Sequence, residues 1–326
     1  MEQSEKSCGS CCNMSSVLRI GTRGSVLARW QSDLCLEQLK SIGVLAEVVV
    51  IQTSGDRIQD SSIVDIGAQG VFTKEIQRGL LRDEIDVAVH SLKDLPTDEV
   101  EGLELSVVLC RGRCFDVFIG FDCCTLDELP AGSRIGTGSL RRRTQIINRC
   151  GNKFVIDGIR GNVETRLRKL DAGEYDAIIL AEAGLERLGF LDRVGSILSP
   201  PFFLPAVGQG AIGLEIRSGD FETASKIKPL CDQQTFKSVV AERAMLRRLR
   251  GGCIVPIGAL CSVSGEMLSL HGRILSMDGQ RMIETIRTIP IETADMKSAE
   301  LLGIAVADEL IDQGANEILE EITQNR

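Results

Sequence analysis

Short apolar runs rich in β-branched residues alternate with stretches of helical periodicity along most of this chain, and the alternation occurs twice. The first series has apolar runs at residues 17–21, 46–51 and 86–90, with helical stretches at 25–40 and about 71–82 and a polar, glycine-bearing loop at 53–70. The second has runs at 133–137, 153–156 and 176–180, with a helix expected after Ser139, a natural N-cap, and another at 163–170. β-Branched residues fit a pleated, half-buried surface. Strands separated by helices pack as a largely parallel sheet with helices on its faces. Two such series predict an α/β fold of two similar lobes with a cleft between them. Ligands in sheets of this kind bind outside the carboxyl ends of the strands, so residues there are the first candidates for function.

Pro200-Pro201 and Pro205 interrupt the second series, and Gly208-Gln209-Gly210 leads into a further strand at 211–216. From about Gln234 the pattern becomes one long charged helix, a glycine loop, several short strands and two final helices, as expected of a smaller α+β domain. A chain of 326 residues accommodates two or three domains. Aromatic residues make up only 4% of it, so its cores must be mostly aliphatic. A net charge of −9 argues against general nucleic-acid binding. No apolar run reaches the roughly 18 residues a membrane helix needs.

Residues 1–16 are small and polar, lack the apolar stretch of a secretory signal, and read as a disordered tail on a cytoplasmic protein. The 12 cysteines accordingly read as reduced thiols. Cys8, Cys11 and Cys12 have a spacing that a metal could use. With only 2 histidines, His90 and His271, and no second Cys-x-x-Cys, no metal site is expected.

One cysteine is framed unlike the others. The helical pattern from Glu242 to Arg250 runs into Gly251-Gly252-Cys253-Ile254-Val255-Pro256-Ile257-Gly258. Paired glycines stop a helix and open backbone angles closed to other residues, so Cys253 is presented on a tight loop. As a nucleophile it would need a base, and no histidine lies in an evident partner position.

Arginines gather at the strand ends. Arg23 and Ser25 follow the first strand; Arg141, Arg142 and Arg143 open the helix after Ser139; Arg160 and Arg166 flank the start of the next; Arg187 follows the 176–180 run. Guanidinium groups recognise carboxylate or phosphate in planar, bidentate fashion, and helix N-termini add backbone donors. The set implies a small polyanion, although any single arginine could simply be solvated or paired, and Arg143 and Arg168 read as surface residues. RNA is disfavoured because aromatic platforms are lacking. In His90-Ser91-Leu92-Lys93-Asp94-Leu95-Pro96 the chain leaves a buried strand and turns, so that Asp94 projects into the cleft. A carboxylate there can stabilise a developing cation; the alternative is an N-cap or salt-bridged turn. His90 reads as a core histidine, and Phe72 as core or as a ring packed on a flat ligand.

The segment from Glu242 to Gly258 resembles the cofactor-attachment signature of the porphobilinogen deaminase (hydroxymethylbilane synthase) family. Similar stretches are Arg23-Gly24-Ser25, His90-Ser91-Leu92-Lys93-Asp94, Gly138-Ser139-Leu140-Arg141-Arg142, Arg160-Gly161-Asn162-Val163-Glu164-Thr165-Arg166 and Leu204-Pro205-Ala206-Val207-Gly208-Gln209-Gly210-Ala211. The resemblance covers residues 17 to 324. It implies a transferase of tetrapyrrole and haem biosynthesis that condenses four porphobilinogen units head to tail, with loss of ammonia, and releases hydroxymethylbilane. It implies a dipyrromethane primer held by a thioether at Cys253 and catalysis by Asp94. Pyrrole carboxylates are expected on Arg23, Arg141, Arg142, Arg160, Arg166 and Arg187, with Ser25, Lys93, Ser139 and Phe72 completing the binding site. The implied fold is two lobes like periplasmic binding proteins and a C-terminal α+β domain. The expected division is lobe 1 at 17–112 and 206–230, lobe 2 at 113–205 and the third domain at 231–326, in a monomer that engages neither nucleic acid nor membrane. Three positions depart from the common pattern: Gln69, Gly138 and Phe115.

Overall fold

The structure, a computed structural model, describes residues 17–51, 73–250 and 255–324. Phe72, Gln69, Cys253 and the cysteines of residues 1–16 lie outside the described residues. Strands β1 (Leu18–Thr22), β2 (Ala46–Val50), β3 (Val87–Ser91) and β4 (Leu103–Val108) build the first sheet. Strands β5 (Asp116–Gly120), β6 (Arg134–Gly136), β7 (Val155–Asp157), β8 (Ala177–Ala181) and β9 (Ser196–Leu198) build the second, and β10 (Ile212–Arg217) returns to the first. The strand orders are β2-β1-β3-β10-β4 and β7-β6-β8-β5-β9. In both, three strands run parallel and the fourth is antiparallel to its neighbours. The antiparallel strand is in each case the one that has just arrived from the other sheet. Two segments therefore cross between the lobes, residues 109–115 and 199–211.

Each sheet is buried on both faces, as a helix-flanked sheet should be. Val117 and Ile119 of β5 join one aliphatic cluster while Phe118 between them joins the other, following the two-residue period of a strand. Fully burying each such side chain contributes about 1.5–3 kcal/mol. Helix α1 (Val26–Ser41) starts at Ser25, whose hydroxyl oxygen accepts the Ala28 amide at 3.3 Å, and covers the first sheet with Cys35 and Leu39. Helix α2 (Lys74–Leu81) follows β2. In the second lobe, α3 (Leu140–Cys150) is capped by Ser139 and α4 (Val163–Asp171) by Asn162, before α5 (Glu182–Leu188).

The crossing segments touch at Gly208-Gln209-Gly210. Gly208 and Gly210 have φ of +69° and +85°, in the left-handed region that favours glycine. A Cβ on Gly210 would lie 2.8 Å from the Gly112 carbonyl oxygen, so only glycine lets the two crossings run this close.

After α6 (Phe221–Ile227), the long helix α7 (Gln233–Arg248) leads to a three-stranded antiparallel sheet of β11 (Ile257–Ser264), β12 (Met267–Leu275) and β13 (Met282–Pro290). Helices α8 (Met296–Asp312) and α9 (Ala315–Gln324) close this part. Ala241 and Met245 of α7 pack with Leu270, Ile274, Val306 and Leu310 in its aliphatic core.

The expected strand at 86–90 begins one residue later, because the Asp86 carboxylate receives hydrogen bonds from Arg19 and Arg217. Strands β4, β5 and β9 and helix α5 were absent from the pattern read in the sequence. The 211–216 run does return to the first sheet, where it pairs with β3 and β4. Among the described residues, no helix is long and apolar enough to cross a membrane and no metal-binding cluster occurs.

Candidate functional site

Beyond β3 the chain makes a single tight turn, Leu92–Asp94. Leu92 and Leu95 point inward, into a cluster with Val108, Ala211 and Val239, while Lys93 is half-buried and Asp94 is left on the outer side. Asp94 is exposed and lines a cavity together with Arg23, Ser25, Gln31, Thr73 and Ser91. Gln31, which the sequence reading passed over, is buried and donates from its amide to the Ser91 hydroxyl oxygen at 2.7 Å. Behind the turn His90 Nε2 lies 3.0 Å from Glu215 Oε2, and Gln77 donates to the other Glu215 oxygen at 3.0 Å. His90 is thus a satisfied core histidine.

The opposite wall comes from the second lobe. Arg141 and Arg142, in the first turn of α3, are both buried and both bind Asp116 at the head of β5. Arg141 donates to Asp116 Oδ2 and to the Leu204 carbonyl, each at 2.6 Å. Arg142 donates to Asp116 Oδ1 at 3.0 Å and to the Ile179 carbonyl at 2.9 Å. Burial would raise the Asp116 carboxyl, but the two guanidinium groups hold it well below the usual carboxylate range. Arg141 is therefore placed as a tie to the second crossing, and Arg142 as a tie to β8.

Three further groups complete the electrostatics. Burial pulls Arg166 down to about 10, with the Arg142 charge adding to the fall and Asp94 opposing it. Burial also lowers Lys93, against Asp94 and Asp116 and with the help of Arg142 and Arg141. Lys93 and Asp94 from one lobe and Arg142 and Arg166 from the other thus share one neighbourhood. With Asp116 offset by the arginine pair, its balance is positive. Arg187, on α5, donates to the Gly210 carbonyl at 2.7 Å and stacks 5.6 Å from the Trp30 ring of α1. Arg160 is exposed at the loop before α4, and Ser139 spends its hydroxyl oxygen on the Arg142 amide. Arg143 and Arg168 are exposed. At Phe115, one of the three departures, the main-chain carbonyl accepts the Glu182 amide at 3.0 Å, and the buried Glu182 carboxylate takes its cation from Arg113 at 2.7 Å.

A fully buried carboxylate, Glu242 on α7, joins the third part to both crossings. It accepts from Arg111 Nη1 at 2.6 Å, from the Gly208 amide at 2.7 Å and from the Cys261 amide at 2.8 Å. The arrangement can bind a small molecule bearing several carboxylates and present one carboxylate, Asp94, to it. Dipyrromethane, with carboxylates on each ring, fits a pocket of this charge.

The model of the family "Porphobilinogen deaminase, dipyromethane cofactor binding domain" matches residues 18–225, and "Porphobilinogen deaminase, C-terminal domain" matches 236–312. A porphobilinogen deaminase of Trichlorobacter lovleyi is 47% identical over 311 residues, 94% of this chain and 97% of that protein. Among solved structures, the methionine-binding protein MetQ is 13% identical, covering 70% of this chain and 93% of its own, with a TM-score of 0.42. A periplasmic substrate-binding protein of Coxiella burnetii is 10% identical, covering 69% and 95%, with a TM-score of 0.43. The sequence matches, which span both lobes and the third part, establish that the chain belongs to the porphobilinogen deaminase family.

Proposed function

We propose that this protein is a hydroxymethylbilane synthase, joining porphobilinogen units head to tail with loss of ammonia on the route to tetrapyrroles. The observation that carries this reading is the family match over both lobes and the third part, together with the cavity that Asp94 lines with Arg23 and Ser25. Each pyrrole brings carboxylate side chains, and buried cations bind these far more strongly than cations in bulk water would. Arg166 and Lys93 hold them near Asp94; Arg23 and Ser25 hold them along the first-lobe wall, and Arg160 and Arg187 extend the cationic track. When bound through a thioether at Cys253, dipyrromethane supplies the fixed pyrrole end from which the product grows.

Asp94 stands where positive charge develops on a pyrrole nitrogen as the amino group of the aminomethyl arm departs as ammonia, leaving its methylene on the ring. Its carboxylate accepts the pyrrole N–H and stabilises that charge. It is also placed to carry the proton displaced from the attacked ring carbon toward the leaving ammonia. We divide the chain into lobe 1 (17–112 and 206–230), lobe 2 (113–205) and a third domain (231–326). We also read the protein as a monomer. Every described cysteine is a free thiol, which supports a reducing compartment such as the cytoplasm.

The test is intact-mass measurement with an assay of ammonia release from porphobilinogen. The purified protein should exceed its sequence mass by one dipyrromethane, and Cys253→Ala should lose both the excess and the activity. An unmodified, inactive wild-type protein from cells that make porphobilinogen would sink the reading.

A further inference from the structure

Helix α7 serves two parts of the molecule with two faces. Ala241 and Met245 pack into the third domain, whereas Phe236, Val239 and Arg243, at i, i+3 and i+7, form a stripe that meets the Asp94 turn. Val239 packs with Leu92 and Leu95 on either side of Asp94. Arg243 is 8% exposed, and its guanidinium donates to the Leu95 carbonyl at 2.9 Å and the Pro96 carbonyl at 2.6 Å. Both hydrogen bonds of this buried cation end on main chain, on the two residues that directly follow Asp94. Burial pulls the group down to about 10, with Arg247 adding to the fall and Glu215, Glu99 and Asp98 opposing it.

A buried charge is a poor way to gain stability, since an apolar side chain of similar size often does as well. A two-pronged donor does something an apolar residue cannot: it fixes the direction of two consecutive peptide units. The neighbouring Glu242, about 100° around the helix, meanwhile holds both interlobe crossings. The helix that precedes Cys253 in the sequence thereby sets where the Asp94 turn stands relative to the lobes.

We infer that Arg243 is a positioning residue for Asp94, acting on turnover through the Leu95 and Pro96 carbonyls. The inference rests on the proposed role of Asp94 in porphobilinogen condensation. A shift of about 1 Å in a catalytic group can cost roughly a hundredfold in rate. A lysine can reach one carbonyl but cannot span both.

The experiment compares full-length wild type, R243K, R243Q and R248Q. The last removes the exposed partner of Asp308 on the same helix and serves as control. Dipyrromethane loading is read by intact mass, kcat and KM with porphobilinogen, and amide exchange over residues 92–97. We expect R243Q to lose about a hundredfold in kcat and R243K about tenfold, with KM within about threefold and loading intact. Exchange should quicken at the Leu95 amide, which the turn closes onto the Leu92 carbonyl at 3.3 Å. Should R243Q fail to fold, R243K decides. A kcat for R243K equal to that of R248Q overturns the inference. So does a loss that merely follows cofactor loading, or unchanged exchange over the turn. A wild type that carries no dipyrromethane and releases no ammonia overturns the activity reading as well, which separates the two failures.

Discussion

Arg111, in the first crossing between the lobes, grips Glu242 of α7 with both prongs, Nη1 to Oε1 at 2.6 Å and Nη2 to Oε2 at 3.2 Å. Glu242 is fully buried and is also the acceptor for amides of the second crossing and of β11. Removing one partner of such a pair leaves an uncompensated buried charge. Arg111→Ala should therefore destabilise the protein by about 3–5 kcal/mol, measured by urea denaturation. A loss below 1 kcal/mol would show that the junction is held by packing alone.

Asp94→Ala should abolish ammonia release while leaving the unfolding midpoint near that of wild type. Its side chain is exposed, and surface substitutions away from special features usually change stability by no more than about 0.5 kcal/mol. Circular dichroism with a turnover assay separates the two effects. Normal turnover would remove Asp94 from the chemistry.

Arg166 and Arg141 should respond differently to truncation. Among the described residues the Arg166 guanidinium makes one hydrogen bond, to the Gly161 carbonyl at 2.8 Å. Its loss should remove a charge-assisted contact worth about 1.5–3 kcal/mol, raising KM roughly ten- to hundredfold at little cost in stability. Arg141→Ala leaves Asp116 and the Leu204 carbonyl short of a donor and should act first on stability. Equal effects on KM from both variants would contradict this division.

Acid stability should depend on Asp86. Burial would raise this carboxyl, but hydrogen bonds from Arg19 and Arg217 hold it down to about 2. An unfolded aspartate takes up its proton near pH 4. The contribution of Asp86 is thus complete above about pH 4 and disappears as the pH falls through about 2. Asp86→Asn should weaken the protein at pH 7 and flatten its stability loss between those values, as followed by denaturant titration at several pH values.

What the sequence made legible was local. Ser25, Ser139 and Asn162 cap the helices they were expected to start or flank, because a cap depends on its own first turn. The 211–216 run returns to the first sheet, as the resemblance implied. Strand β5 escaped notice because Asp116-Val117-Phe118-Ile119-Gly120 is short, opens with a charge and owes its place to β8 and β9, far along the chain. The same distance hid Asp116 as the partner of Arg141 and Arg142. Composition announces an anionic ligand; it does not say which arginines already hold a carboxylate of the protein itself. Gln31 gave no signal, since one glutamine on a helix reads as solvent-facing.

The swapped strands also dictate an order of assembly during synthesis. The five strands of the second sheet are contiguous in the chain, so that lobe can close as soon as β9 has left the ribosome. The first sheet cannot, because β10 sits between β3 and β4 and is made later. The N-terminal strands must wait with an unfilled slot while a later-born lobe finishes ahead of them, a vulnerable interval for a growing polypeptide. Chains truncated before residue 212 should be captured by chaperones or proteases, whereas a fragment confined to the second lobe should escape them.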